Sequence, residues 1–513
     1  MKKIFKEIVS FFNKEKWGRE GIFALVFSLV LVFNILLTII VQSFDLYIYE
    51  KDSTDYSISG NTDHLFKEAI EAGKKIKISF CLAEKDLENH SSGRLVHNTV
   101  KEFSEHYPGF IEIDYINILT RRNKDGKLVD ISKYQKTDVE DVEMPILKTS
   151  MIFECGENFR VITDLYSNAG FADFYTLNAS NNLTSYNGEE VVAAMMSWVL
   201  HDEHQTAYFT KFHSESPDPS LANLLICAGY NVKEIDLKSK TAEEELKDAA
   251  VVVIANPKSD FERGAVGTTG IESEIERLRK YLNKGGNLIV TFDPYVKKLP
   301  VFEDFLSEFG IGFSQSVDAE SGRVSRNMVK DYSGAITPDG FTLVAKYADN
   351  DLAKSIDSKV SEYSDGKVII REVSALELSG NAEPVLLSSS ASVLEANGKT
   401  IDSKGEYIIA ATSKLAAEDG KEAKVFIVPS IYLTASDALV SQGYSNKDFV
   451  YALLEKHFES GAAPYGCNDV LYETDTLENL TMRSARIYTA IIMAVPVVLA
   501  VTGIIIIVKR RHT

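Results

Sequence analysis

The sequence predicts an α/β protein in which a parallel-sheet domain and a smaller N-terminal α/β unit are flanked by two transmembrane helices. Three observations support this prediction. Two uncharged apolar runs occur near the ends of the 513-residue chain. Buried strands alternate with amphipathic helices through the middle of the chain, which is typical of parallel βαβ units. Shorter strands dominate the region that follows.

The two apolar runs are residues 21–41 and 487–508, and neither contains a charged side chain. A helix of this length reaches about 30 Å, the thickness of the hydrocarbon core of a bilayer. Basic residues precede the first run and acidic residues follow it, which places the amino terminus in the cytoplasm. We therefore predict a cell-membrane protein with cytoplasmic tails at 1–20 and 509–513 and with residues 42–486 outside the cytoplasm.

Residues 45–200 are predicted to form the smaller N-terminal extracytoplasmic α/β unit. Val96, Val100 and Phe103 recur at helical spacing and so give a helix one apolar face. Ile111–Tyr115 alternates between apolar and polar residues, as a half-buried strand does. A hairpin and a further helix complete the unit.

Residues 201–460 are predicted to form the larger extracytoplasmic domain. Its first half alternates strands with helices, and Ala250–Ala255 is entirely apolar, as expected for a strand inside a parallel sheet. Its second half is rich in strands, some of which we expect to extend the same sheet, before a helix at Asn446–Phe458. A juxtamembrane linker, 461–486, then leads to the second apolar run.

Polar residues follow the strands of this larger domain, at the edge where ligands bind in open α/β sheets. They include His213, Glu215, Asn256 and Asp293. The same residue types could hold a metal or act as acid and base, but they also suit a polar crevice that caps helices and faces a partner. We predict the second arrangement: a ligand or partner crevice with no catalytic residue, no bound metal and no cofactor.

Other polar patterns lack the spacing that their chemistry requires. His201 and His204 lie three residues apart at a helix end and match no zinc motif. Gly398-Lys399-Thr400 resembles the end of a phosphate loop, but Val393 occupies the position of its first glycine. The glycines of 264–270 do not have dinucleotide-binding spacing. No nucleophile elbow follows a strand, and the net charge of −19 disfavours nucleic acid as a partner.

Two further groups of residues lead to predictions about packing. The four cysteines, Cys81, Cys155, Cys227 and Cys467, form no CxxC pair; they allow three disulfide pairings but require none, and we expect each to pack in an apolar core as a small hydrophobic residue. The second apolar run contains small residues that allow transmembrane helices to approach closely. These residues are Ala490, Ala494, Ala500 and Gly503.

Short strings along the chain resemble those of the gliding-motility-type (GldG-like) auxiliary family of ABC transporters. The matching strings include Asp45-Leu46, Tyr56–Ser59, Gly188-Glu189, Ala207–Glu215, Asn283–Pro294, Pro384–Ser388 and Lys424–Ser430. The extracytoplasmic domain of that family is similar to intraflagellar-transport proteins and to class I glutamine-amidotransferase-like folds. In its GHGE motif the two glycines are replaced here by Phe212 and Ser214, whereas His213 and Glu215 are kept.

The resemblance implies a flavodoxin/amidotransferase-like domain in a non-catalytic, membrane-anchored auxiliary subunit of an export or gliding-motility transporter. Its partners would be a multi-span ABC permease and a separate ATP-binding subunit. Two alternatives remain open. One is an extracytoplasmic hydrolase or sugar-modifying enzyme that uses His213, Glu215 and Asp293. The other is a ligand receptor that acts through a membrane partner.

Overall fold

The computed structural model describes most of the region between the two apolar runs, within a compact unit that spans 55–513. The described residues are 57–135, 145–166, 174–177, 183–216, 218–263, 272–318, 322–332, 336–439, 443–461 and 463–472. The predicted spans 21–41 and 487–508 lie outside the described residues. So do the small residues of the second span, which are Ala490, Ala494, Ala500 and Gly503.

None of the helices in the described ranges is both long and apolar enough to cross a membrane. The longest described helix, Ser91–His106, has 16 residues. It therefore reaches only about 24 Å, short of the roughly 30 Å that a bilayer requires. The prediction of an α/β fold flanked by transmembrane helices, and with it the prediction of a cell-membrane location, is corrected by this finding. What the structure supports is a mixed α/β fold.

The N-terminal region combines a helical layer with a small mixed sheet. Its elements are α1 (Asp63–Glu71), β1 (Ile76–Phe80), α2 (Glu84–Glu88), α3 (Ser91–His106), β2 (Ile111–Tyr115), a 3₁₀ turn (Ile131–Gln135), β3 (Met151–Cys155), β4 (Asn158–Ile162), β5 (Tyr175–Leu177), β6 (Leu183–Tyr186) and α4 (Gly188–Val199). The sheet has the order β2-β1-β3-β4, with β1 and β2 parallel and the other pairs antiparallel. The predicted helix, the strand Ile111–Tyr115, the hairpin and the further helix of this unit are all present.

The central region alternates strands and helices, as the sequence predicted. Its elements are β7 (Thr206–Thr210), α5 (Pro219–Cys227), β8 (Asn231–Ile235), α6 (Ala242–Asp248), β9 (Ala249–Ala255), α7 (Glu274–Asn283), β10 (Asn287–Thr291) and α8 (Pro300–Ser307). Asp218 caps α5 by accepting a 2.9 Å hydrogen bond from the amide of Leu221, and Ser273 caps α7 in the same way at Glu276. These caps fix the helix starts that face the carboxyl ends of the strands.

The third region is rich in strands. Its elements are β11 (Ile311–Phe313), β12 (Gln315–Val317), β13 (Val324–Arg326), β14 (Met328–Lys330), β15 (Thr342–Tyr347), α9 (Asp351–Val360), β16 (Val368–Arg371), β17 (Leu376–Leu378), β18 (Ala382–Leu387), β19 (Ser392–Ala396), β20 (Lys399–Gly405), β21 (Ile408–Ala416), a 3₁₀ turn (Glu418–Gly420), β22 (Glu422–Val428), α10 (Ser436–Leu439), α11 (Asn446–Phe458) and β23 (Val470–Leu471). Several of these strands join the central sheet, as the sequence led us to expect.

The main sheet of the described residues runs in the order β16-β15-β18-β21-β22-β10-β9-β7-β8. The strands from β22 to β8 are parallel, whereas β21 pairs antiparallel with β22 and begins the extension. The parallel part has the chain order 2-1-3-4-5 of flavodoxin-like sheets, and the winding direction reverses between β7 and β9. A ligand crevice in such a sheet is expected beyond the carboxyl ends of these two strands.

Strand β9 shows why the sequence there is continuously apolar. Val251 and Val253 pack into one hydrophobic core, and Val252 and Ile254 pack into a second core on the other face. Because helices cover both faces of a parallel sheet, successive side chains are buried on opposite sides and none faces water. Burial of the strand on both faces fixes the frame that carries the loops at its carboxyl end.

A buried ion network links the last described segment to two helices. The Nζ atom of Lys447 lies 2.7 Å from a carboxylate oxygen of Glu190 in α4 and 2.7 Å from one of Asp469. Tyr451 donates to the other oxygen of Glu190, and Ser185 donates to Asp469 at 3.0 Å. These charges are almost completely buried. The two carboxylates raise the pKa of the Lys447 ammonium against the opposing effect of burial.

Replacing this lysine should destabilise the protein strongly. Lys447→Met leaves two buried carboxylates without their cation, so we expect a loss of about 3–5 kcal/mol in the free energy of unfolding. Lys456→Met removes an exposed lysine from the same helix and should cost less than about 1 kcal/mol. Denaturant unfolding of the purified full chain measures both values, and equal stabilities of the two variants would contradict the role given to the network.

Candidate functional site

Three loops meet at the carboxyl edge of the parallel sheet, and Asn256 holds them together. Its amide donates to the carbonyl of Thr291 at 2.9 Å, and its side-chain Oδ1 accepts from the amide of Asp293 at 2.9 Å. Its carbonyl accepts from the amide of Ser216 at 3.4 Å. The buried Asn256 therefore joins the loops after β7, β9 and β10. Its bonds to protein groups make it a structural residue of the edge.

His213 lies beneath this edge, between two carboxylates. Its Nδ1 is 3.0 Å from Oε1 of Glu215, and its Nε2 is 2.8 Å from Oε1 of Glu274, the first residue of α7. The imidazole stacks on Phe261 with 3.8 Å between ring centres, and only 2% of the histidine is exposed. Both ring nitrogens are therefore occupied by anionic acceptors in a nearly closed site.

These contacts set the protonation state of the cluster. Burial by itself would lower the pKa of His213, but the hydrogen bonds and negative charges of Glu215 and Glu274 outweigh it and raise the pKa to about 9. Burial raises the pKa of each carboxyl, and bonding to His213 outweighs that effect and lowers it below the ordinary value. At neutral pH the cluster consists of an imidazolium between two carboxylates. Such an imidazolium has no lone pair with which to accept a proton.

The turn that carries His213 is tight although it lacks glycine. Phe212 has φ of 81° and Ser214 has φ of 55°, so both adopt the left-handed conformation that favours glycine. In the GldG-like family that the sequence resembles, glycine occupies these two positions. Left-handed backbone costs a non-glycine residue about 1–2 kcal/mol, and the carboxylate of Glu215, which accepts from the amide of His213 at 2.6 Å, stabilises the turn.

A crevice of about 830 Å³ opens beside this turn, between the loop after β7, the start of α5 and strand β8. Of the predicted site residues, only Glu215 lines it; His213 lies below it, and Asn256 and Asp293 belong to the loop edge. The crevice is also lined by residues that sequence analysis did not single out. They include Lys211, Asp218, Pro219, Ala222, Lys233 and Glu234.

Two further residues are central to the site: Glu274, which sequence analysis missed, and Phe212, which it noted only as a replacement for a glycine. Glu274 lies 61 residues beyond His213, and its carboxylate also accepts from the amide of Glu262 at 2.8 Å. No spacing rule joins residues so far apart, since α7 alone brings them together. Phe212 is 68% exposed, and the ammonium of Lys211 lies 5.6 Å from its ring centre. The signal available in the sequence was the position of Phe212 next to the His-x-Glu string that follows a strand.

No cysteine is among the described residues that line the crevice. The four cysteines are all free, and burial raises the pKa of Cys81 to about 12 and that of Cys155 above its ordinary value. Among the described ranges no group of histidine, cysteine and carboxylate residues is arranged to hold a metal ion. In the pair first considered as metal ligands, His204 stacks on Trp198 at 3.7 Å and His201 bonds to the carbonyl of Ser197. The glycines of 264–270 lie outside the described residues.

The charge state of His213 predicts how stability depends on pH. Because its folded pKa of about 9 exceeds the ordinary 6.5, its contribution is complete below pH 6.5 and is lost as pH rises towards 9. His213→Gln should therefore remove a decrease of up to about 1.4 kcal/mol per pH unit from the unfolding free energy over that interval. His201→Gln, at an exposed histidine, is the matched control. Identical pH dependence in the wild type and the His213→Gln variant would contradict a buried imidazolium.

Comparisons with solved structures give distant similarities only. The chain is similar to the N-terminal domain of mmIFT52, at 15% identity over 49% of this chain and 96% of that domain, with a TM-score of 0.36. It is also similar to a ThuA-like protein from Bacteroides uniformis (12%, 51% and 94%, TM-score 0.30) and to PurLQS from Thermotoga maritima (13%, 49% and 99%, TM-score 0.26). No family model and no curated protein sequence matches the chain. None of these three proteins is described as a gliding-motility or ABC-transporter component, so the comparisons do not support the resemblance to that family.

Proposed function

We propose that this chain is a non-catalytic accessory protein that binds a protein partner through the crevice beside β7. The observation that carries the proposal is the bonding of His213. Both of its ring nitrogens donate to the carboxylates of Glu215 and Glu274, so the histidine of the site stabilises a loop and has no free nitrogen for acid–base chemistry.

The surface of the crevice has the composition of a binding surface. Phe212 presents an aromatic side chain to solvent at its mouth, and aromatic residues often contribute most of the energy of an interface. Lys211, Lys233 and Glu234 surround the mouth with polar and charged groups. An apolar anchor within a polar rim is the usual anatomy of a protein interface.

The strained turn also favours binding over a purely structural role. The left-handed φ angles of Phe212 and Ser214 hold the phenyl ring outside the core, where it makes no contribution to the packing of the two hydrophobic clusters. Backbone strain of this kind is concentrated at functional sites. The turn therefore fixes an aromatic side chain in the position that a partner would contact.

The resemblance of the sequence to transporter auxiliary proteins indicates the class of partner. In that role the chain would work with a multi-span ABC permease and a separate ATP-binding subunit, in export or in gliding motility. The proposal concerns the binding role of the domain, and it assigns no reaction to His213, Glu215 or Asp293.

Site-specific crosslinking tests this function. A photoreactive amino acid in place of Phe212 should capture a permease or an ATP-binding subunit in the native cells. The same amino acid at Leu119, which is 95% exposed in the N-terminal region, should not capture either one. Phe212→Ala should raise the Kd for the captured subunit by about tenfold or more, because loss of a central interface aromatic costs over about 1.4 kcal/mol.

Two outcomes of this experiment would contradict the proposal. One is capture of no transporter component from position 212. The other is an unchanged Kd for a correctly folded Phe212→Ala protein, which would place the interface elsewhere. Mass spectrometry identifies the captured chain, and circular dichroism of each variant establishes that it is folded.

A further inference from the structure

A second groove, separate from the crevice beside β7, lies beyond the end of β10. It has a volume of about 540 Å³ and is lined by the segment 294–298, by residues 323–326 at β13, and by the turn between β19 and β20. The groove thus draws on three separate parts of the chain. None of the residues of the His213 cluster lines it.

The described lining of this groove is strongly basic. Lys297, Lys298 and Arg323 contribute positive charge, the charge of Arg326 is paired with Glu303, and Glu395 is the one acidic residue among the described lining residues. The carboxylate of Glu395 lies 2.9 Å from Nζ of Lys330 and is therefore already neutralised. The chain as a whole carries a net charge of −19. A concentration of positive charge on so acidic a protein attracts anions to one place.

Neither Lys297 nor Lys298 forms an ion pair with any residue that the structure describes, and both side chains are exposed. Several exposed lysines of the described ranges face a carboxylate, as Lys101, Lys238 and Lys354 do. Two adjacent lysines without such partners are therefore available to an external anion. Their ammonium groups can reach it without breaking a bond within the described protein.

The inner wall of the groove contains polar atoms that lack partners. The Oγ atom of Ser325 and the Nε atom of Arg326 are buried and have no hydrogen-bond partner. Most buried polar atoms in proteins are bonded, and leaving one unpaired costs about 1–3 kcal/mol. Arg326 itself is only 5% exposed. A ligand oxygen in the groove would supply the missing acceptor.

The guanidinium of Arg326 is also fixed in place before any ligand binds. It lies 4.3 Å from the ring centre of Phe292 and 4.7 Å from that of Phe313, and it donates to Glu303 at 2.6 Å. Because these contacts restrict its motion, little conformational entropy is left to lose on binding. The inner wall is therefore rigid, while the two lysines at the mouth are mobile in the way of exposed side chains.

We propose that this groove binds a small organic molecule that carries a phosphate group. Arginine and lysine together are the usual protein ligands of phosphate, and the serine hydroxyl can donate to a phosphate oxygen. The groove is larger than a phosphate ion, and Tyr295 and Phe341 provide an aromatic surface for the organic part.

The string Gly398-Lys399-Thr400 lies at this groove in a different role from the one its sequence resembles. Asn397 has φ of 51° and Gly398 has φ of 72°, so the pair forms the tight hairpin turn between β19 and β20. A phosphate loop instead leads into a helix. The turn forms one rim of the groove, and phosphate recognition is assigned to the basic side chains and Ser325.

Calorimetric titration of the purified full chain tests the proposal. The probes are inorganic phosphate, ribose 5-phosphate and AMP, with ribose and adenosine as their uncharged counterparts and citrate as a carboxylate. We expect at least one phosphorylated probe to bind, with affinity that falls as salt increases, and its uncharged counterpart not to bind. Binding of citrate more tightly than every phosphorylated probe, or binding of none of the probes, would overturn the proposal.

Variants distinguish phosphate binding at this groove from nonspecific attraction of phosphate to exposed lysines. Ser325→Ala removes a hydroxyl that has no partner in the free protein, so it should weaken phosphate binding by about threefold to tenfold while leaving Tm unchanged or higher. Lys297→Glu/Lys298→Glu should weaken binding at least tenfold. The charge-matched control Lys67→Glu/Lys85→Glu alters exposed lysines of α1 and α2 and should bind as the wild type does. Equal losses in both double variants would overturn the assignment of the site.

Discussion

The ion cluster of His213, Glu215 and Glu274 connects the loops on which the candidate site depends. Glu215 belongs to the same turn as His213, Glu274 begins α7, and the carbonyl of His213 accepts from the amides of Lys258 and Ser259 at 2.9 Å. One buried residue thus joins the segments after β7 and β9 to the start of a helix. Because this edge is where the sheet reverses its winding, the cluster fixes the shape of the surface at the point where α/β proteins bind ligands.

The same cluster explains why we assign binding, and no acid–base chemistry, to this edge of the sheet. The positive end of the α7 dipole and the imidazolium both stabilise Glu274 as an anion, so the buried charges compensate one another. A histidine held in this way keeps its proton and its orientation. Phe212 and the charged residues of the crevice rim form the surface above it, and these residues have no role in the core. We therefore regard the imidazole as the support of a binding surface.

The sequence predicted the parts of the fold that local pattern determines. Ala250–Ala255 was recognised because a strand covered on both faces is apolar throughout, and the predicted helix at Asn446–Phe458 is also present. The hairpin of β12 with β13 was missed because each of its strands has only three residues, and that of β19 with β20 was missed because β20 is polar and exposed along almost its whole length. Their absence from the prediction also concealed the basic groove, which forms where β13 and the turn between β19 and β20 meet the segment after β10.

The candidate site was predictable in part. His213 and Glu215 were identified because they follow a strand at the expected edge, whereas Glu274 was not, because a helix brings it there from a distant part of the chain. The prediction of membrane spans rested on hydropathy alone, and no spanning helix is found among the described residues. An apolar run shows only that a segment lacks charged residues, and this alone does not establish that the segment forms a helix across a bilayer.

The central claim is that His213 is a fixed imidazolium, and nuclear magnetic resonance of the histidine ring nitrogens tests it most directly. With the full chain labelled at histidine and the His213 signals assigned by comparison with His213→Gln, the account predicts that both ring nitrogens carry protons at pH 7. It further predicts a titration midpoint near pH 9. A neutral ring at pH 7 that titrates at or below pH 6.5 would contradict the account, because such a histidine could accept a proton and act as a base.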